Sequence, residues 1–237
     1  MSLVKSIGNK KVNFDFNNDF ITIFSDKIKS LDIKFINQTL KDLHPSDVAN
    51  LIENLSGETR AKLIEIEEFN IDPEIFIEIN ESIQTEVLQL LSDDSIAKIL
   101  RRLESDNAIS ILENLNSSKK NSVLDKLPPK DRFLLEEGLS YPEDSAARIM
   151  QREFTAVPSN WSVGQTIDYL RESKDLPDEF LEIFVVDNDF KPIGTVPSSR
   201  VLRTSRDAKM NSLMREVPVL ISVNMDKEEV GHTFENY

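Results

Sequence analysis

The sequence predicts a mainly α protein with an α/β part: a run of short-helix repeats, then a smaller β-α-β-β-α region used twice. Three observations carry this. An apolar residue returns every twelve positions between Leu43 and Leu139. After Tyr141 the pattern changes to short extended runs alternating with helical ones. A stretch at 149–167 is echoed about 63 residues later.

The twelve-residue markers are Leu43, Leu55, Ile79, Leu91, Leu103, Leu115, Leu127 and Leu139, and Glu67 breaks the series. Apolar pairs fall eight and nine positions after a marker: Leu51/Ile52, Leu63/Ile64, Val87/Leu88, Ile99/Leu100, Ile111/Leu112 and Val123/Leu124. Spacings of three and four residues place such side chains on one helix face. Units open with helix-starting chemistry: HPSD at 44–47, SGE at 56–58, SDD at 92–94, ESDN at 104–107 and PPKD at 128–131. Ser, Asp and Asn cap free N–H groups, and Pro suits a first turn. A helix of ~10 residues is marginal alone, so these must stack on one another.

Further on, FTAVP (154–158) reads as extended and SVGQTIDYLRES (162–173) as a helix with Val163, Ile167 and Leu170 on one face. LEIFVVD (181–187) reads as a buried strand, with Phe180, Ile183 and Val185 in the core. DNDF (187–190) turns the chain and KPIGTVP (191–197) returns as a hairpin partner. SSRVLRT (198–204) starts another helix, and Trp161 reads as a core or interface anchor. IMQREFTAVPSNWSVGQTI (149–167) is then echoed by LMREVPVLISVNMDKEEV (213–230), and this second copy stops inside its first helix. The expected divisions are a tail and first helix (1–35), a helical domain (36–139) and the α/β part (140–237). Within the last, 140–210 is the first copy and 211–237 a truncated second one, as in a fragment.

Composition excludes several functions. There is no cysteine, so disulfides, thiolate zinc sites and cysteine nucleophiles are absent. His44 and His232 are the two histidines, too few for a histidine metal cluster. No glycine-rich phosphate loop or nucleophile elbow occurs. No apolar run approaches the ~20 residues that span a bilayer. The net charge is −14, and residues 36–139 alone carry 11 basic and 21 acidic residues. Such a chain repels nucleic acid and suits cations as partners.

LHPSDVANLIENL (43–55), the twelve-residue units, LSYPEDSAARIM (139–150) and the following CBS-like repeat, in that order, resemble the cytosolic region of MgtE-type magnesium transporters. The resemblance covers roughly residues 20–237. It implies a helical superhelix as N domain, a CBS pair, and a transmembrane pore domain elsewhere in the parent protein. It also implies a homodimer on the cytoplasmic side of the membrane that senses magnesium and closes the pore, with no reaction catalysed. Magnesium takes oxygen ligands and keeps several waters, so its sites leave little spacing signature. The resemblance places metal ligands at Glu74, Asp106, Glu228, the main-chain carbonyl of Arg148 and that of Glu235. Ser110 stands where a second acid is expected beside Asp106, and Ala147-Arg148 where the family has two glycines. ATP is not expected to bind: the strand offers Glu182 and Phe184, and the next helix opens with Ser199-Arg200 rather than an Arg-Asp pair. The competing readings are a soluble nucleotide-sensing CBS module and a protein-interaction scaffold, since short-helix repeats of this kind resemble those of flagellar motor switch proteins.

Overall fold

The computed structural model describes residues 18–66, 71–217 and 219–235. Ten helices come first: α1 (Asn18–Lys29), α2 (Ile33–Asp42), α3 (Pro45–Asn54), α4 (Gly57–Ile64), α5 (Ile75–Glu78), α6 (Glu81–Leu90), α7 (Asp93–Leu100), α8 (Ser105–Glu113), α9 (Ser117–Leu124) and α10 (Pro129–Ser140). Then follow α11 (Ala146–Ile149), β1 (Ala156–Pro158), α12 (Val163–Glu172), β2 (Glu182–Val186), β3 (Pro192–Pro197), α13 (Ser198–Leu202), α14 (Met210–Leu213) and α15 (Lys227–Glu235). The described residues fall into two compact units. One holds those up to Leu103 together with Ser110–Arg132; the other holds Glu104–Ile109 and those from Phe133 onward.

In the first unit, α3 packs on α5, α4 on α6 and α7 on α9, while α1 meets both α2 and α4. Buried Leu51, Ile52, Leu63, Val87, Leu88, Ile99 and Leu100 form the inner face, as their spacing requires. The twelve-residue markers sit at the joints. Leu43, Leu55, Ile79 and Leu91 each follow the last residue of a helix. The next residue caps the following helix: His44, Ser56, Asn80 and Ser92, and likewise Asn116 after Leu115, accept a main-chain N–H. An apolar residue just before the cap fixes how the chain enters the helix. Glu67, the break in the series, lies outside the described residues.

The other helix ends are met from a distance. Arg60, only 5% exposed, donates from Nη1 to Ile52 O (2.7 Å) and from Nε to Glu86 Oε1 (3.1 Å). Gln84 Nε2 donates to Phe76 O (2.6 Å), and Gln84 Oε1 accepts from Asn114 (2.9 Å). Both are the fourth residue of their helix and reach eight residues back. Lys119 Nζ donates to Leu91 O (2.9 Å) and Gln89 O (3.3 Å).

The helical unit begins before the boundary expected at residue 36, which falls inside α2. α1 ends in a closed turn: Leu31 N–H donates to Ile28 O and Asp32 N–H to Lys27 O, with Leu31 at φ 57°. That left-handed position normally takes glycine. Asp32 then caps α2 by accepting from Phe35 N–H (3.2 Å) and pairs with Lys27 (2.9 Å). The Lys27 ammonium, followed by the Phe35 N–H, holds the Asp32 carboxyl below its usual range.

The second unit contains a sheet in the order β1-β2-β3, with β1 and β2 parallel and β2 and β3 antiparallel. Val157, Ile183, Val185 and Val196 face a core completed by Val163, Val201 and Met210, with Trp161 and Phe180 partly buried against it. Trp161 meets Tyr169 edge to face at 5.4 Å between ring centres. Ser162 and Gln165 form a capping box at the start of α12. Gly194 allows β3 to approach the chain after α14: a Cβ there would sit 2.7 Å from Arg215 O. The second copy supplies α14 and α15, but 219–222 forms no strand. In the first copy β1 has β2 as a partner; residues 219–222 have no equivalent partner among the described residues. Instead this stretch leads into a clip on the junction, with Ala146 N–H donating to Met225 O (2.7 Å), Ala147 N–H to Val223 O (3.0 Å) and Lys227 N–H to Asp144 O (2.8 Å).

Leu31 is exposed and strained, so Leu31→Gly should stabilise the protein by about 0.5–1 kcal/mol despite glycine's greater chain entropy. Chemical denaturation checks this; an unchanged or lower midpoint would show that the turn carries no strain.

Candidate functional site

Three acids meet at the head of α8, within the second unit. Glu104 precedes the helix, Asp106 stands in its first turn, and Glu153 comes from the chain leading to β1. Both Glu153 carboxylate oxygens accept the Ser105 N–H (3.2 Å each), and Oε2 also accepts from Ser105 Oγ (2.9 Å) and Arg152 N–H (3.1 Å). Glu153 thus supplies the anion that a helix N-terminus favours. Asp106 Oδ1 accepts from Asn107 N–H (2.8 Å), and Glu104 accepts from Gln151 Nε2. These are neutral donors. Partial burial, then the charges of Asp106 and Glu153, hold the Glu104 carboxyl above its ordinary value of 4.5. Close packing fixes the frame: a Cβ on Gly138 of α10 would lie 2.2 Å from Ile109 Cδ1 of α8 and 3.3 Å from Arg152 Nη2.

The expected ligands are not gathered into one shell. Among the described residues, no group of three or more His, Cys, Asp or Glu is placed to hold an ion directly. Glu74 is exposed just before α5, its N–H donating to Asp72 Oδ1 (3.1 Å). Glu228 is exposed in the first turn of α15, its N–H donating to Asp226 Oδ1 (2.8 Å). Glu235 ends α15, with its carboxylate 3.6 Å from His232 Nδ1. Arg148 lies in the last turn of α11, and its guanidinium turns back to Tyr141 O (2.8 Å) and Leu139 O (2.9 Å). Beside Asp106 stand two further acids, Glu104 and Glu153, and the charges of Asp106 and Glu153 act on Glu104. Sequence reasoning passed over Glu104 and Glu153. Glu104 was visible as the first letter of ESDN; Glu153 had no local signal, because its partner Ser105 lies 48 residues away.

At the nucleotide positions considered from sequence, Arg200 Nη1 donates to Leu213 O (3.0 Å) and Glu182 is exposed at the start of β2. Phe184 packs edge to face on Phe154 at 6.0 Å.

Residues 43–144 match the family described as the MgtE intracellular N domain, and residues 146–207 match the CBS domain. The chain carries an MgtE N domain followed by a CBS domain. A curated relative, the magnesium transporter MgtE of Enterococcus faecalis, is 23% identical over 103 residues, which is 44% of this chain. The match spans 23% of that relative's length. Two solved structures share the fold. One is the soluble part of a magnesium transporter, at 21% identity and TM-score 0.73, covering 92% of this chain and 86% of that one. The other is the cytosolic domain of the Mg2+ channel MgtE in complex with ATP, at 22% identity and TM-score 0.80, covering 92% and 89%. Among the described residues, no helix is long and apolar enough to cross a membrane.

The raised Glu104 carboxyl sets a pH dependence. An unfolded chain releases this proton near 4.5, and the folded chain releases it later. Between the two values the native state binds more protons, so stability falls as pH rises through that window. Glu104→Gln removes the titration and keeps an oxygen for Gln151. The variant's melting temperature should therefore gain on wild type as pH climbs from below 4.5 to neutrality. A gap that does not vary with pH would show that neither burial nor the neighbouring acids raise Glu104 in the folded chain.

Proposed function

We propose that this chain is the magnesium-sensing regulatory region of a divalent-cation transporter or channel, lying on the cytoplasmic side of the membrane and acting as a homodimer. The observation that carries the reading is the acid trio at the head of α8, where partial burial and then the charges of Asp106 and Glu153 raise Glu104. The acidic balance of the helical domain, 11 basic against 21 acidic residues over 36–139, supports it. Magnesium keeps much of its water shell and needs one or two carboxylates at a time. A trio that cannot chelate an ion directly still suits a hydrated one. On this reading Glu74, Asp106, Glu228 and the carbonyls of Arg148 and Glu235 each offer one ligand, and the remaining oxygens come from water, the partner copy or the pore-bearing part. At low magnesium the acids repel; bound ions reverse the sign and favour a compact form that closes the pore. The role is regulatory and not catalytic.

An ion that binds only the native state stabilises it by RT ln(1 + [L]/Kd), about 1.4 kcal/mol at tenfold Kd. Magnesium should therefore raise the melting temperature and shrink the scattering radius beyond what sodium chloride at equal ionic strength achieves. In the double variant Glu74→Gln/Asp106→Asn, protection from limited proteolysis should need more magnesium, while stability in chelator stays equal or rises slightly. Identical protection midpoints would reject both residues as ligands.

Nucleotide is outside this reading, although one structural relative is described in complex with ATP. Arg200 donates to a main-chain carbonyl, and Glu182 is an exposed acid at the start of β2. Calorimetry with ATP should give no binding heat; low-micromolar affinity would favour the nucleotide-sensing module instead.

A further inference from the structure

Two arginines share the carbonyls of a single turn-rich segment. Arg148 takes Tyr141 O through Nε (2.8 Å) and Leu139 O through Nη2 (2.9 Å). Arg152 takes Ala147 O through Nη2 (3.0 Å) and Met150 O through Nη1 (3.4 Å). Four main-chain oxygens within residues 139–150 are thus held by two guanidinium groups. Leu139 is in the last turn of α10 and Tyr141 just follows it, where helix carbonyls lack partners and the negative end of the dipole lies. A fixed cation is favoured there. The same segment carries the contacts that organise the second unit: Ala146, Ala147 and Asp144 pair with 223–227, and Arg152 N–H donates to Ser105 Oγ (3.0 Å) at the head of α8.

Oxygen donors collected at one end of a helix are also what a hard divalent ion takes. Here the positions are filled by covalently attached charge. The Arg148 guanidinium is delocalised, always charged and forked, so it satisfies two carbonyls at once. Asp144, nearby in sequence, pairs with Lys227 (2.6 Å). Arg152 contributes less than Arg148, since its Nε is buried without a partner.

We infer that Arg148, assisted by Arg152, is a tethered cation that keeps segment 139–153 ordered without any divalent ion. The chain therefore separates a permanent clasp from the exchangeable ions proposed for the acid trio. The clasp stands on its own hydrogen bonds and does not require the magnesium reading to hold.

Hydrogen exchange of the full chain, resolved by peptide, tests it in chelator and in magnesium at matched ionic strength. Wild-type protection over 139–147, ahead of the ligands proposed at the Arg148 carbonyl and the α8 head, should be the same in both. Arg148→Gly in chelator should lose about tenfold or more protection there, the effect of losing one charge-assisted hydrogen bond. Arg148→Lys keeps the charge but not the fork; it should lose part of the protection, confined to this segment, and it serves if the glycine variant fails to fold. Wild-type protection over 139–147 that falls in chelator would overturn the inference, as would full protection in Arg148→Gly or a lysine-variant loss spread over the sheet. A failure of magnesium to stabilise the protein would instead count against the proposed function and leave the clasp intact.

Discussion

The structure is governed by the ends of its helices. An α-helix leaves four N–H and four C=O groups without internal partners. In an eight-residue helix such as α4, α7 or α9, as many groups face outward as are bonded within. A fold made of such pieces needs a supply of partners as much as an apolar core. The N-terminal ends are met locally by Ser56, Asn80, Ser92 and Asn116, which lie beside the groups they bond. The C-terminal ends need longer arms from other turns: Arg60 to Ile52 O, Gln84 to Phe76 O, Lys119 to Leu91 O and Arg148 to Leu139 O. Caps of the first kind make each helix possible, and bonds of the second kind tie one helix to another.

This division has an electrostatic consequence. A guanidinium directed at carbonyls has fewer N–H groups left for a carboxylate, although Arg60 reaches both Ile52 O and Glu86. Arg152 shows it most clearly, because its backbone N–H touches Glu153 while its side chain serves Ala147 O and Met150 O. The excess of 42 acidic over 28 basic residues is therefore sharpened wherever basic side chains serve as end-caps. At the head of α8 the result is three acids met by neutral donors, and burial raises the cost by removing water that would screen them.

What the sequence made legible was what depends on near neighbours. The caps, the proline first turn of α3 and the three strands could be placed because cap chemistry and hairpin alternation act over a few residues. The twelve-residue markers were visible as a period, but their position at the joints was not, since a leucine looks alike within a helix and just before one. α2 crossed the expected boundary at 36, although Asp32 followed by Ile33 and Ile36 carried the start signal. Of the three acids at the head of α8, the resemblance singled out Asp106 as a ligand, and Glu104 and Glu153 carried no such signal. Glu153 reaches α8 only through the tertiary fold, and no spacing rule links residues 48 positions apart. Arg148 was read for its carbonyl, while its guanidinium holds two other carbonyls, a role that appears only when α10 and α11 are placed together.

The two kinds of cation assigned to this chain follow from one thermodynamic requirement. A sensor responds only through ions that bind its two states unequally; a charge bound equally in both shifts nothing. A tethered guanidinium is always present, so it cannot report a concentration. It can only hold geometry. The acids of the α8 head are the opposite case, because their repulsion varies with whatever cation the solution supplies. For such repulsion to act on structure, the acids must sit on a frame that does not yield locally. Gly138 against Ile109, the Arg148 bonds to the end of α10 and the pairing of 144–147 with 223–227 supply that frame within the second unit. Loosening it would let the carboxylates move apart at little cost, and the cation dependence would fade. On the proposed reading, rigidity at 139–153 and repulsion at Glu104, Asp106 and Glu153 are thus complementary parts of one device, and neither senses alone.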